Sequence, residues 1–285
     1  MLVFLEHLLE LGSCLTFQLE VELFDFVIFH AVLSFILGIL LLHVGVFRID
    51  LTITVVYDND TSDPQLKHGW GFSALVEKGT QSVLFDCGDN GKALLANLRS
   101  LQKDPADIDS VAISHGHADH YGGLAAFLAV RPKIDVYLPG GVSRQLVAAV
   151  KKAGGHPVLI AQKTDLGGGI ALTGPLGGTI AEQSLVVNTD HGPLLVTGCS
   201  HPGIEKMIPR VEKMVGKSLY GLVGGLHLMS AGHGRMKRVV EVMRASGLQI
   251  IAAGHCTGKS ALATLKKAFP KRCVSIGSGK VIRIE

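Results

Sequence analysis

The chain has 285 residues, of which 47% are hydrophobic and 18% charged, a balance that excludes a disordered polypeptide and fits one large domain or two small ones. Its 35 glycines follow no G-x-y period, which excludes collagen. The five cysteines contain no CxxC pair, which argues against a disulfide scaffold or zinc ribbon and for a reducing compartment, and a net charge of +3 is too small to argue for nucleic acid.

The first 49 residues obey different rules from the rest. No Lys or Arg precedes Arg48, so all 27 basic residues lie in 48–285, against 19 of the 24 acidic ones. Phe26–Phe47 is 22 residues without a charge, and about 20 apolar residues cross a bilayer as a helix. The stretch lies too far from Met1, and lacks the basic n-region, for a cleaved signal peptide. With the acids before it and the basic residues after it, a spanning segment places the remainder in the cytoplasm. Two other readings stay open: an extension that the fold does not need, or a helix packed into the core. Residues 1–49 are therefore read as a hydrophobic N-terminal extension, with 26–47 as its membrane candidate, and 50–285 as one domain.

From Leu51 onward, short apolar runs alternate with Gly-rich turns and helical patterns. The pattern predicts strands at Leu51–Tyr57, Phe72–Glu77, Ser82–Asp86, Val111–Ser114, Ile134–Leu138, Pro157–Ile160, Ile170–Thr173, Leu185–Asn188, Leu194–Thr197, Ser218–Val223, Ile250–Ala253 and Val281–Ile284. It predicts helices at Lys92–Leu101, Gly122–Val130, Ser143–Lys152, Gly203–Val215, Arg235–Ser246 and Ser260–Phe269. Strands come first in meander spacing, then strand and helix alternate. This predicts two sheets packed between helices, an α+β domain.

The strongest chemical signal follows the strand at Val111–Ser114: His115-Gly-His117-Ala-Asp119-His120. Four metal-capable side chains fall within six residues. In an extended loop residues two apart point the same way, so His115 and His117 can share one ion while Asp119 and His120 face a second. Imidazole with carboxylate suits zinc, iron or manganese. His201, in Thr197-Gly-Cys-Ser-His201, and His255, in Ala253-Gly-His255, each end an apolar strand and open a helix, which makes both candidate ligands. His227, in Gly224-Gly-Leu-His227, also ends a strand and reads as a ligand, a supporting donor or a substrate contact. His68, before the strand at Phe72, is a candidate pocket residue. His156, His191 and His233 read as turn or surface residues.

The run Leu84-Phe-Asp86-Cys-Gly88, then HxHxDH followed by Gly122-Gly123, then the spaced histidines, resembles the metallo-β-lactamase superfamily. That resemblance covers roughly Ile53 to Ile284. It implies an αββα four-layer sandwich carrying two divalent ions, zinc first, with iron, manganese or magnesium as alternatives. It implies His115, His117 and His201 on one ion, Asp119, His120 and His255 on the other, and Asp86 as the buried acid behind them. The segments ISHGHADHYGGL, TGCSHPGI, GGLHL and GHCTGKSA resemble one branch of metal-dependent hydrolases, which includes archaeal dihydropterin-aminobenzene ribosyl phosphate synthases. There is one departure. Many members carry an Asp that bridges both ions between the third and last His, and this chain has no Asp after Asp190. Either His227 takes that place or hydroxide alone bridges.

Other signals read as structural. Gly254-His-Cys-Thr-Gly258-Lys259 has too few residues between its glycines for a Walker A loop, which excludes an NTPase. Thr257 is placed to cap the helix that follows, whose N-terminus with Lys259 suits an anion. Cys199 and Cys256 lack an acid or base partner of their own and read as packing. The lysine pairs at 151–152 and 266–267 have no aromatic interleaving, so no nucleic-acid partner is indicated. The expected function is an enzyme with Asp119 and His227 in the chemistry, acting on a small anionic, phosphorylated pterin-type molecule. Hydrolysis of another phosphoester, lactone or thioester is the alternative, and a non-catalytic, membrane-tethered binding module is the second.

Overall fold

The computed structural model describes residues 51–285. The extension at 1–49, with its candidate span 26–47, lies outside the described residues. No helix among the described residues is long and apolar enough to cross a membrane.

Alternation along the strands builds the layers. In β1 (Leu51–Tyr57), Leu51, Ile53 and Val55 enter one buried cluster, whereas Val56 enters another. The pairing of β1 with β2 (Ser73–Lys78) shifts register between Val55 and Tyr57. Ala74 and Val76 of β2 join the first cluster and Leu75 the second, and β3 (Gln81–Phe85) divides Val83 and Phe85 from Leu84 in the same way. With β4 (Ser110–Ala112), β5 (Asp135–Pro139), β6 (His156–Ile160) and the last strand, β14 (Val281–Ile284), they form a seven-stranded sheet in the order β14-β1-β2-β3-β4-β5-β6. It is antiparallel from β14 to β3 and parallel from β3 to β6.

The second sheet has the order β13-β12-β11-β10-β9-β8-β7. Its strands are β7 (Thr164–Gly167), β8 (Ile170–Leu172), β9 (Leu185–Val187), β10 (Leu194–Thr197), β11 (Gly221–Gly225), β12 (Ile250–Gly254) and β13 (Cys273–Ser275). It too is half antiparallel and half parallel, the parallel half running from β10 to β13. Leu194, Val196, Val223 and Ala252 share the inter-sheet cluster with Ile53 and Phe85.

Helices cover both outer faces. Leu94 and Leu98 of α1 (Gly91–Ser100), Phe127 and Leu128 of α3 (Leu124–Val130), and Leu146 and Val150 of α4 (Arg144–Lys152) pack on the first sheet. The four-residue α2 (Ala118–Tyr121) lies just before α3. Ile208 and Val211 of α5 (Ile204–Val215), Val239 and Met243 of α6 (His233–Ser246), and Leu265 of α7 (Lys259–Ala268) pack on the second. Each fully buried Leu or Val contributes about 1.5–3 kcal/mol of burial.

This is the four-layer sandwich expected. The parallel halves with their crossover helices give it an α/β character that the α+β reading misses. Also missed were β7, a polar and half-exposed edge strand, and the three-residue β13, neither of which carries an alternating apolar pattern. The strand predicted at Ser218–Val223 runs instead as β11, from Gly221 to Gly225. Because β1 and β3 run the same way, and β10, β11 and β12 are mutually parallel, the segments after β1, β3, β4, β10, β11 and β12 supply the loops of the site.

Candidate metal centre

The loop after β4 brings His115 and His117 together, and the turn after β10 adds His201. His115 Nε2 lies 3.1 Å from His117 Nδ1 and 3.1 Å from His201 Nε2. The second group forms where α2 meets the turn after β12. Asp119 Oδ2 lies 3.6 Å from His120 Nε2 and 3.4 Å from His255 Nε2. In each group the donor atoms lie within 4.8 Å of one another. The stretch expected to be extended is so only as far as His117, which precedes α2 with β-region dihedrals; Asp119 and His120 sit on its single turn.

Hydrogen bonds behind the rings fix which nitrogen faces inward. Asp86 Oδ1 accepts from the Ser114 backbone N–H at 2.7 Å, and its Oδ2 accepts from Ser114 Oγ at 2.7 Å and lies 2.7 Å from His120 Nδ1. A carboxylate only accepts, so His120 carries its proton on Nδ1 and presents the lone pair of Nε2. Ser114 Oγ has given its hydrogen to Asp86, so it accepts from His115 Nδ1 at 2.9 Å, which leaves the lone pair on His115 Nε2. Asn59 Oδ1 meets His255 Nδ1 at 3.0 Å, leaving a lone pair on His255 Nε2. These tautomers follow from the network.

The Nε2 lone pairs of His115, His120 and His255 therefore face the same space as the Asp119 carboxylate, with His117 and His201 beside them. His255 Nε2 is buried with no hydrogen-bond partner, and it points at an anionic oxygen. Such an arrangement fits divalent cations: imidazoles and a carboxylate as donors, with His115, His120 and His255 held from behind by a hydroxyl, a carboxylate and an amide.

The electrostatics agree. Burial, then the neighbouring imidazoles, push His115 far below the usual histidine range, so it is neutral. Burial and His227 lower His201 to about 4. His120 is the exception: burial opposes its charge, yet the Asp86 carboxylate prevails and raises its pKa, so a cation at Nε2 competes with a proton there. Burial would also raise Asp119, but His255 and His120 hold it at about 2. The second group thus carries fixed negative charge that favours a cation.

Backbone strain concentrates here. Of the six non-glycine residues with positive φ among the described residues, four are Asp86 (61°), Ser200 (65°), His227 (51°) and His255 (47°). Each costs on the order of 1–3 kcal/mol and persists where the surroundings over-determine it.

The remaining candidates fall at varied distances from the ions' place. His227 is exposed at the rim, its ring centroid 4.5 Å from that of His201. His68 is exposed, with Nδ1 3.1 Å from the Asn59 carbonyl, one residue removed from His255. Lys259 is exposed at the start of α7. Thr257 does not cap that helix. Gly258 holds the cap position, and Thr257 Oγ1 turns inward to accept from the Leu226 N–H at 3.1 Å. Glu205 pairs with Arg235 at 3.0 Å.

Several site residues escape the sequence reading. Glu182 is fully buried. Its Oε1 accepts from the N–H of Cys199 (2.9 Å) and Ser200 (2.7 Å), and its Oε2 from that of His201 (2.6 Å). Asp58 is pushed up to about 7 by burial and accepts from the His255 N–H at 3.2 Å. Trp70, the chain's single tryptophan, is 51% exposed, its rings 5.3 Å from His255. Cys199, read as packing, places Sγ 3.3 Å from His120 Nε2. Only Cys199 carried a sequence signal, its place two residues before a candidate ligand.

A sequence model of the metallo-beta-lactamase superfamily matches residues 70–240, more than half of the chain. A 7,8-dihydropterin-6-methyl-4-(beta-D-ribofuranosyl)-aminobenzene-5'-phosphate synthase of Methanocaldococcus jannaschii is 26% identical over 264 residues, covering 76% of this chain and 90% of the synthase. Among solved structures, a metal-dependent hydrolase of the beta-lactamase superfamily superposes with a TM-score of 0.73 at 25% identity, covering 82% of this chain and 99% of that one. A metallo-beta-lactamase fold protein of Bacillus subtilis gives 0.62 at 15% identity, over 81% of this chain and 99% of the other, and shows the shared fold.

Proposed function

The chain belongs to the metallo-beta-lactamase superfamily and is one of its metal-dependent enzymes, and on that premise we propose that it acts on a phosphorylated, pterin-type small molecule at a centre of two divalent ions, zinc first. One ion would be held by His115, His117 and His201, the other by Asp119, His120 and His255. The observation that carries this reading is the convergence of six ligand-type side chains in two adjoining groups, with the Nε2 lone pairs of His115, His120 and His255 turned inward. When bound, such ions polarise a substrate oxygen and acidify water.

The protein's own groups take the other tasks. Asp86 and Ser114 fix the His120 and His115 rings, and Asn59 fixes His255. His227 stands at the rim, where the hydrogen bond with the Cys256 sulfur raises its pKa, and it takes the role of proton donor to a departing oxygen. Lys259 at the α7 N-terminus favours an anionic group on that side. The exposed face of Trp70 beside His255 favours a flat aromatic ring.

Likeness to the archaeal synthase over 90% of its length supports condensation over hydrolysis. An aminobenzene ribosyl phosphate would displace diphosphate from a hydroxymethyldihydropterin diphosphate: the C–N bond forms, the C–O bond breaks, and the amine proton leaves. We infer a cytoplasmic site of action, in keeping with four buried free cysteines among the described residues.

The test is product analysis by mass spectrometry of purified protein given both substrates, against a panel of phosphodiesters and lactones. Diphosphate release that needs both substrates supports the reading. Turnover of a lactone or phosphodiester with none of the condensation product would replace it by a general metallo-hydrolase.

A further inference from the structure

We propose that Cys199 supplies the ligand shared by the two metal positions, in the place where many superfamily members carry an aspartate. The proposal rests on the two-ion reading above and concerns the sulfur alone.

Three features point to it. The first is position. Cys199 Sγ falls within 4.8 Å of donor atoms of His115 and His120, of His201 and His227, and of His255 and Cys256. It therefore reaches His115 and His201 from one group and His120 and His255 from the other. Among the described residues, no carboxylate reaches both groups in this way. His227, the sequence reading's substitute for the aspartate, shares a candidate set with His201 and Cys199 and with no residue of the Asp119 group.

The second feature is surroundings. A cysteine that serves as packing sits among apolar side chains. Cys199 is 4% exposed, yet its sulfur faces the Nε2 lone pair of His120 at 3.3 Å. Cys256 differs. Its Sγ accepts from the His227 N–H at 3.3 Å and lies 3.5 Å from the Cys199 carbonyl, so it ties the loops after β11 and β12 to that after β10.

The third is aim. The turn carrying Cys199 is clamped by three N–H bonds to Glu182 and by the Ser200 hydroxyl, which donates to the Gly225 carbonyl at 2.8 Å. A methyl group on Gly198 would fall 2.2 Å from Ser114 Oγ, so the turn presses directly against the serine that orients His115. This fixes the sulfur against both groups.

The chemistry that follows is specific. On binding, the thiol gives its proton to solvent and the thiolate becomes the ligand. A thiolate favours zinc, iron(II) or cobalt(II) over magnesium and manganese, so the centre discriminates against the commoner hard cations.

The test uses the full chain, stripped of metal and titrated with cobalt(II), with absorption and elemental analysis read together. The expected result is a near-ultraviolet sulfur-to-cobalt charge-transfer band that grows over both equivalents. Cys199→Ser should lose the band and bind cobalt at least about 10-fold more weakly at one position. Cys199→Asp should restore two ions without the band and keep the fold by circular dichroism. Cys256→Ser should keep the band. Two bound ions with no band, a band surviving in Cys199→Ser, or a band that saturates at the first equivalent would each overturn the shared thiolate. A wild-type chain that binds fewer than two ions would overturn the two-ion reading itself.

Discussion

At the scale of single residues, exposure separates side chains that hold metal from those that also hold the fold. His117 is exposed while His120 is fully buried against Asp86. His117→Ala should therefore remove bound metal and activity while changing stability by no more than about 0.5 kcal/mol. His120→Ala removes one of the three hydrogen bonds to buried Asp86 and should cost about 1.5–3 kcal/mol. Melting curves of the stripped proteins with elemental analysis check both, and wild-type metal content in His117→Ala would contradict the assignment. Acid should weaken the metal-free protein through the same rings. The folded pKa of His201 lies at about 4 and that of His115 lower, both below the ordinary histidine value. Below about pH 6.5 the unfolded chain binds protons that the folded one refuses, so stability present above that pH is lost as pH falls toward 4. The melting temperature of the stripped protein should fall over that window, and His201→Gln should flatten the fall. His227→Ala should lower kcat by about 10²-fold or more with metal content kept; loss of an ion would make it a ligand.

At the scale of elements, the contiguous part of the site was legible and the part assembled between elements was not. HxHxDH declares itself because four ligand-type residues adjoin, and His201 and His255 because each interrupts a strand-to-helix junction. Glu182 gives no such sign. It lies in an irregular segment before β9, and its role exists only because the turn after β10 folds its N–H groups onto it. Asp58 and Asn59 were hidden for the same reason, since only β1 reaching the metal centre gives them partners, while Cys199 stood beside a candidate ligand but was read as packing. Thr257 was misread because its hydroxyl faced two uses, the cap and the Leu226 N–H, and the fold chose the buried donor. Glu182→Gln keeps the shape but turns an amide N–H toward backbone N–H groups. It should destabilise by about 1.5–3 kcal/mol and lower metal affinity in parallel. Denaturant unfolding and metal titration check the pair, and an unchanged midpoint would show that the turn holds without the clamp.

At the scale of the whole molecule, the two sheets are what allow residues as far apart as Asp58 and His255 to share one centre. The layers could be anticipated because period-2 alternation in β1, β2, β3 and β10 assigns each side chain to the inter-sheet core or to the helix face. Strand order and direction could not, since they depend on which edges meet. Leu51 and Ile53 are fully buried in that inter-sheet core, so a chain starting at residue 50 should fold and bind metal as the full chain does. Circular dichroism and metal content of the shortened chain test this, and its failure to fold would mean that 1–49 contributes to the core. The central claim is that this edge of the sandwich holds two ions on two defined sets of side chains. Anomalous scattering at the zinc edge from crystals of the zinc-loaded protein tests it most directly. The account predicts two peaks, one at about 2.0–2.3 Å from donor atoms of His115, His117 and His201 and the other likewise from Asp119, His120 and His255. A single peak, or peaks away from these six residues, would contradict it.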